Sequence, residues 1–207
     1  MSASPGESVV VDGARAFGGT KSVLVKHAGI AHDEVYMRLG RPLLPLPGND
    51  VHGRMMLFIT RVPPKLHWDN LRAEGPLPQG GNAQYNFGGM KGMLLMNYEP
   101  HDCWRNSALP FPTGRWVCLQ WQWNGAVGAD GGTRNELRVA VDGQPVADAT
   151  VARFGDGCVD KTRSEWIAPR FETLSIGWVQ YQKSDPMEMW IDDVAIGEQP
   201  IACPAAR

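Results

Sequence analysis

The feature that most restricts the fold of this chain is the shape of its apolar runs. They are short, most are flanked by Gly or Pro, and several repeat every second residue. Leu137, Val139 and Val141 recur at alternate positions, and Met55, Leu57 and Ile59 do the same. A period of two is the signature of a half-buried strand, whereas a helix repeats its apolar residues every three or four. Almost no stretch sustains the helical period, so an α/β arrangement is disfavoured. The 24 glycines and 16 prolines fall mainly between the apolar runs, where they serve as turns.

Read this way, the chain contains eleven strands, at 22–27, 34–39, 51–61, 66–73, 84–88, 92–98, 115–124, 137–141, 145–149, 171–182 and 189–196. Residues 41–50 and 99–114 hold three prolines each and are expected to be loop. No linker or repeat divides the 207 residues, so residues 1–207 form one domain. Long alternating strands joined by long loops predict an all-β fold of two packed antiparallel sheets. One face of each sheet is core; the other meets solvent or, on a curved sheet, a ligand groove.

Bulk properties remove several function classes. The net charge of −2 gives no reason to expect a nucleic-acid partner. The apolar runs are too short to span a bilayer, so no membrane is expected either. The first residues lack the charged, apolar and small-residue order of a signal peptide. There is no G-x-x-x-x-G-K-[ST] loop, G-x-S-x-G elbow or H-E-x-x-H pair.

The four cysteines are Cys103, Cys118, Cys158 and Cys203. None is arranged as C-x-x-C, which argues against zinc. Three disulfide pairings are open, and four reduced, buried thiols are the alternative. The favoured pairing is Cys103–Cys118 with Cys158–Cys203. Disulfides would place folding in an oxidising compartment, secreted or periplasmic.

Several phrases resemble a known family when taken in order. They are Gly18-Gly19-Thr20-Lys21-Ser22-Val23-Leu24-Val25, Asp102-Cys103-Trp104, Trp116-Val117-Cys118-Leu119-Gln120-Trp121, Asn135 to Gly143, Ile176-Gly177-Trp178 and Trp190 to Gly197. Together they are similar to the fungal cellulose-induced protein family and its relatives, the glucuronan and alginate lyases. The resemblance implies a two-sheet antiparallel jelly-roll sandwich of the concanavalin A-like type. It also implies a polysaccharide partner; the chain is expected to be a monomer. Because this fold hosts lectins, hydrolases and lyases alike, the chemistry must come from the residues.

Retaining glycosidases need two carboxylates close together, and no E-x-D-x-x-E phrase is present. Lyase chemistry needs a clamp for the uronate carboxylate, a base and an acid. Strand parity puts His52 and Arg54 on one face, opposite Met55, Leu57 and Ile59. His52 is then a candidate base and Arg54 a carboxylate clamp, with His67 in support and Tyr181 as acid. Candidate substrate-binding residues are Asn86, Asn97, Trp178, Gln180 and Gln182. Related jelly rolls also tie their first and last strands with Ca²⁺, which suggests Asp193 with Glu7 as ligands. A non-catalytic carbohydrate-binding module is the alternative reading.

Overall fold

The computed structural model describes residues 6–99, 103–151 and 166–205. Two antiparallel sheets stack face to face. The seven-stranded sheet has the order β1 (Ser8–Asp12), β2 (Ser22–His27), β13 (Met187–Gly197), β4 (Asp50–Ile59), β9 (Trp116–Asn124), β10 (Glu136–Val141) and β11 (Gln144–Pro145). The six-stranded sheet has the order β3 (Asp33–Leu39), β12 (Thr173–Gln180), β5 (His67–Pro76), β6 (Asn82–Met90), β7 (Met93–Glu99) and β8 (Cys103–Pro110). This is the predicted jelly-roll sandwich.

Alternation locates the core. Met55, Leu57 and Ile59 point inward, and so do Trp121 and Trp123 of β9 and Leu137 and Val139 of β10. The six-stranded sheet answers with Trp68, Leu71, Tyr85, Phe87, Ile176 and Trp178. Each such side chain contributes about 1.5–3 kcal/mol over an exposed one, and this burial holds the two sheets together. At one end Trp68 lies flat on Trp178, with ring centroids 4.2 Å apart, and Phe111 meets Trp68 edge-on. Gly53 is a glycine because of this packing: a Cβ there would lie 2.0 Å from the Trp121 indole.

Two strands were not legible. β1 is an edge strand whose Val9, Val10 and Val11 are all exposed, so it has no alternation. β8 occupies part of the stretch expected to be loop, its Pro110 standing at the strand end where no ladder donor is needed. The expected strand at 145–149 is mostly a single 3₁₀ turn, Ala147–Ala149.

The cysteine pairing also differs from the favoured one. Cys118 bonds to Cys203, and Cys103 is disulfide-bonded too; Asp102 and Cys158 lie outside the described residues. Cys118 sits on the outward face of β9 beneath the C-terminal residues, whereas Cys103 belongs to the other sheet and points into the core. Cys118 and Cys103 are thus on opposite sides of the core.

The outer face of the seven-stranded sheet is covered at both ends. Phe58, Trp190 and Leu24 form a second apolar cluster there with Trp116, and the Arg15 guanidinium lies 4.1 Å from the Phe58 ring centre. Trp190 Nε1 donates to Asp12 Oδ2 at 2.8 Å. Further along, the C-terminal residues are held by Arg54, by Gln120 and by the disulfide.

Candidate active site

The outer face of the six-stranded sheet has a different character. Cross-strand pairing lines up Ser175, Arg72, Asn86, Asn97 and Trp104 on β12, β5, β6, β7 and β8. Directly paired residues share a face, so these five make a polar row with an indole at its end. Trp104 is partly exposed. Arg72 Nε donates to Asn86 Oδ1 at 3.1 Å, and Nη1 donates to Glu34 Oε2 at 3.1 Å. The guanidinium also lies 5.2 Å from the centre of the Tyr36 ring. Burial opposes its charge. The fields of Tyr36, Tyr181, Asp69 and Glu34 outweigh that and hold its proton more firmly than usual. Among the described residues Nη2 has no hydrogen-bond partner, so it remains available to an anion.

A second group stands beside this row. The His67 and Tyr181 rings stack with centroids 4.4 Å apart. Tyr181 donates its phenolic proton to Asp69 Oδ2 at 2.7 Å. His67 Nε2 is 3.4 Å from Asp69 Oδ1 and 3.5 Å from Asn97 Nδ2. Burial pushes the Tyr181 phenol well above its usual range and the Asp69 carboxylate adds to this, with Arg72 pulling the other way. Tyr181 therefore holds its proton at neutral pH and can give it up only to a strongly basic oxygen. Tyr36 is raised mainly by burial as well.

Some buried polar atoms on or beside this face have no hydrogen-bond partner among the described residues: Asn86 Nδ2, Tyr36 Oη and Ser175 Oγ. An unsatisfied buried polar group costs about 1–3 kcal/mol.

The structure brings together His67, Tyr181, Asn86 and Asn97 from the sequence-derived set. It does not bring His52 or Arg54 to them. Both lie on the outer face of the other sheet, with the core between. His52 Nε2 is 3.5 Å from Asp50 Oδ1. Arg54 is committed to the Asp193 carboxylate at 2.9 Å and to the Ala202 carbonyl at 3.2 Å. Trp178 is fully buried against Trp68, so it offers no sugar platform. Gln180 is also fully buried, accepting from Trp178 Nε1 and donating to the Gln182 carbonyl. Gln182 is exposed and accepts from the His67 backbone N–H at 3.3 Å.

Asp193 and Glu7 are likewise apart. Glu7 adjoins His27, which pairs with Met187 at the start of β13. Asp193 stands six residues further on, about 20 Å along a strand. Among the described residues no group of three or more acidic, His or Cys side chains could hold a metal ion.

Asp69, Arg72, Glu34 and Tyr36 were missed from the sequence. Trp68 and Leu71 both point into the core although they are three apart, because the β5 register shifts between Asp69 and Leu71. Such a bulge resets parity, so His67, Asp69 and Arg72 reach one face. Simple alternation would put His67 and Arg72 on opposite faces.

No protein-family model matches the chain, and no curated protein matches it. Solved structures do. "Cellulose induced protein, Cip1" superposes with a TM-score of 0.75 at 20% identity, over 96% of this chain and 89% of that one. The endo-β-1,4-glucuronan lyase of the fungus Trichoderma reesei superposes with a TM-score of 0.61 at 13% identity, over 93% and 87%. At these identities the likeness speaks for the fold, and with the two antiparallel sheets it identifies the chain as a concanavalin A-like jelly roll resembling Cip1 and the glucuronan lyase.

Proposed function

We propose that this protein binds an acidic polysaccharide on the outer face of the six-stranded sheet and cleaves it by β-elimination. The observation that carries this reading is the convergence of Arg72, Asn86 and Asn97 with the stacked His67–Tyr181 pair around buried Asp69. The fold neighbour named as a glucuronan lyase supports a uronic-acid polymer as the substrate class.

In this reading Arg72 Nη2 and the Asn97 amide hold the substrate carboxylate, while Asn86, wholly buried, orients the guanidinium by accepting from Arg72 Nε. Their charge and hydrogen bonds stabilise the negative charge that develops when the adjacent C–H loses its proton. His67 takes that proton. The electron pair left behind forms a carbon–carbon double bond as the neighbouring carbon–oxygen bond breaks, and the departing oxygen takes its proton from Tyr181. Asp69 keeps both rings in place by accepting from Tyr181 and facing His67. Trp104 at the row's end offers a ring face to a neighbouring sugar. The Cys118–Cys203 bond supports folding in an oxidising compartment, and no described helix is long and apolar enough to cross a membrane.

The test is the ultraviolet absorbance of the unsaturated product when glucuronan, alginate or pectate is added. The expected result is product from at least one of them. Arg72→Ala should lose about 100-fold or more in kcat/KM, the size seen when one transition-state charge partner is removed. Tyr181→Phe should abolish turnover while leaving binding. Saturable binding with no product would instead make the face a carbohydrate-binding site without catalysis.

A further inference from the structure

We infer that the cleft at the rim beside His67 and Tyr181 is a second anionic subsite, which takes the carboxylate of a neighbouring unit of the same acidic chain. This rests on the proposed function above and names the substrate more closely: a polymer charged on successive sugars. Two crossover loops build the cleft. Residues 60–66 run from β4 to β5, and residues 181–186 run from β12 to β13. They are tied side by side. Arg61 Nη2 donates to the Pro186 carbonyl at 2.9 Å, and Thr60 N donates to the Glu188 carbonyl at 3.3 Å. The Tyr181 N–H points to the His67 carbonyl at 3.5 Å.

Between the loops lies a cavity of about 500 Å³, within the range of small-ligand sites. Pro63, Pro64, Leu66 and Met187 contribute its apolar wall. Its charged lining is Arg61, Lys65 and Lys183 against the one carboxylate of Asp185. Arg61 already pairs with Asp185 at 3.2 Å. Among the described residues neither Lys65 nor Lys183 has an ion-pair partner. A chain whose net charge is −2 thus gathers uncompensated cations at one place on its rim.

The place is tied to the chemistry. Lys65 stands two residues before His67, and Lys183 stands two residues after Tyr181. The backbone of Lys91, at the β6–β7 turn, donates to the Leu66 carbonyl and brings a further cation to the same end of the sheet. An acidic glycan with one carboxylate at Arg72 and its scissile bond at His67 and Tyr181 would continue over this rim. Two ammonium groups there would hold the next charge and speed encounter.

The experiment measures affinity rather than turnover. Calorimetry with polyglucuronate or alginate compares the Tyr181→Phe protein, the same protein with Lys65→Glu and Lys183→Glu, and one with Lys21→Glu and Lys26→Glu as a control matched in net charge. The expected result is affinity about tenfold weaker for the double reversal and little change for the control, with the difference shrinking as salt is added. Lys65→Gln with Lys183→Gln should show a smaller loss in the same direction. Equal affinity in all variants would overturn the subsite and leave the proposed function standing. Weakened binding together with no product from the wild-type protein would uphold the subsite and remove the lyase reading. A wild-type protein that binds no polyuronate would overturn both.

Discussion

His27 shows what burial does to one imidazole. Its side chain has no exposed surface, and Nδ1 accepts the Gly29 N–H at 2.9 Å. Nε2 faces the Asp33 carbonyl at 3.4 Å and Glu7 Oε1 at 3.5 Å. Burial lowers its pKa, and the Asp33 carbonyl and charge only partly offset this. Protonating Nδ1 would also break the Gly29 bond. The folded state therefore binds fewer protons at this site than the unfolded chain once the pH falls below the ordinary histidine value of about 6.5. Stability contributed by neutral His27 is full above that pH and is lost as the pH drops toward the lowered pKa. The melting temperature should fall as the pH drops below about 6.5, and His27→Gln should flatten that slope. Equal slopes in wild type and variant would show that His27 does not set it.

The β5 bulge decides which residues form the site, and Gly88 makes room for it. A Cβ on Gly88 would come 2.1 Å from the Trp68 carbonyl oxygen and 2.5 Å from Asp69 Cα. Both are backbone atoms, so no side-chain rotation relieves the clash. Gly88→Ala should cost about 1–3 kcal/mol in urea unfolding, the usual penalty of overpacking, and should displace Asp69 from Tyr181. Gly48→Ala is the control, since nothing lies within 4 Å of its added Cβ. Equal unfolding midpoints for the two would show that the bulge is not held by close packing. The same bulge marks the limit of what can be read from alternation. On β4 and β10 the period of two runs unbroken, and Met55, Leu57, Leu137 and Val139 fall where alternation puts them. The site row crosses β5, where one shift in register brings Arg72 to the face of His67 and Asp69 and hides it from simple alternation. His67 and Tyr181 were legible because each stands outside the shift. Arg54 was misread for another reason: alternation says that it points outward, but not that residues near 193 and 202 will cover that face.

At the level of the whole molecule, the two outer faces have opposite fates. The six-stranded sheet leaves polar atoms unfilled, while the seven-stranded sheet is covered by residues next to the ends of the described chain. The Cys118–Cys203 bond fastens the C-terminal cover and links residues 85 apart. In the chain-entropy picture, closing a loop of that length stabilises the fold by about 4.5 kcal/mol, and observed values commonly run nearer 2–4. Without the bond, the cover would rest on the hydrogen bonds from Arg54 and Gln120 to the Ala202 and Ile201 carbonyls, each worth about 1 kcal/mol or somewhat more where charged. Cys203→Ser, with Cys118→Ser to avoid a lone thiol, should therefore lower unfolding stability by roughly 2–4 kcal/mol. It should leave the kcat of any lyase activity near the wild-type value, because the core separates Cys118 from His67 and Tyr181. Chemical denaturation at several temperatures, read beside the product assay, separates the two effects. Activity lost in step with stability under conditions where the protein stays folded would mean that the two sheets are coupled through the core.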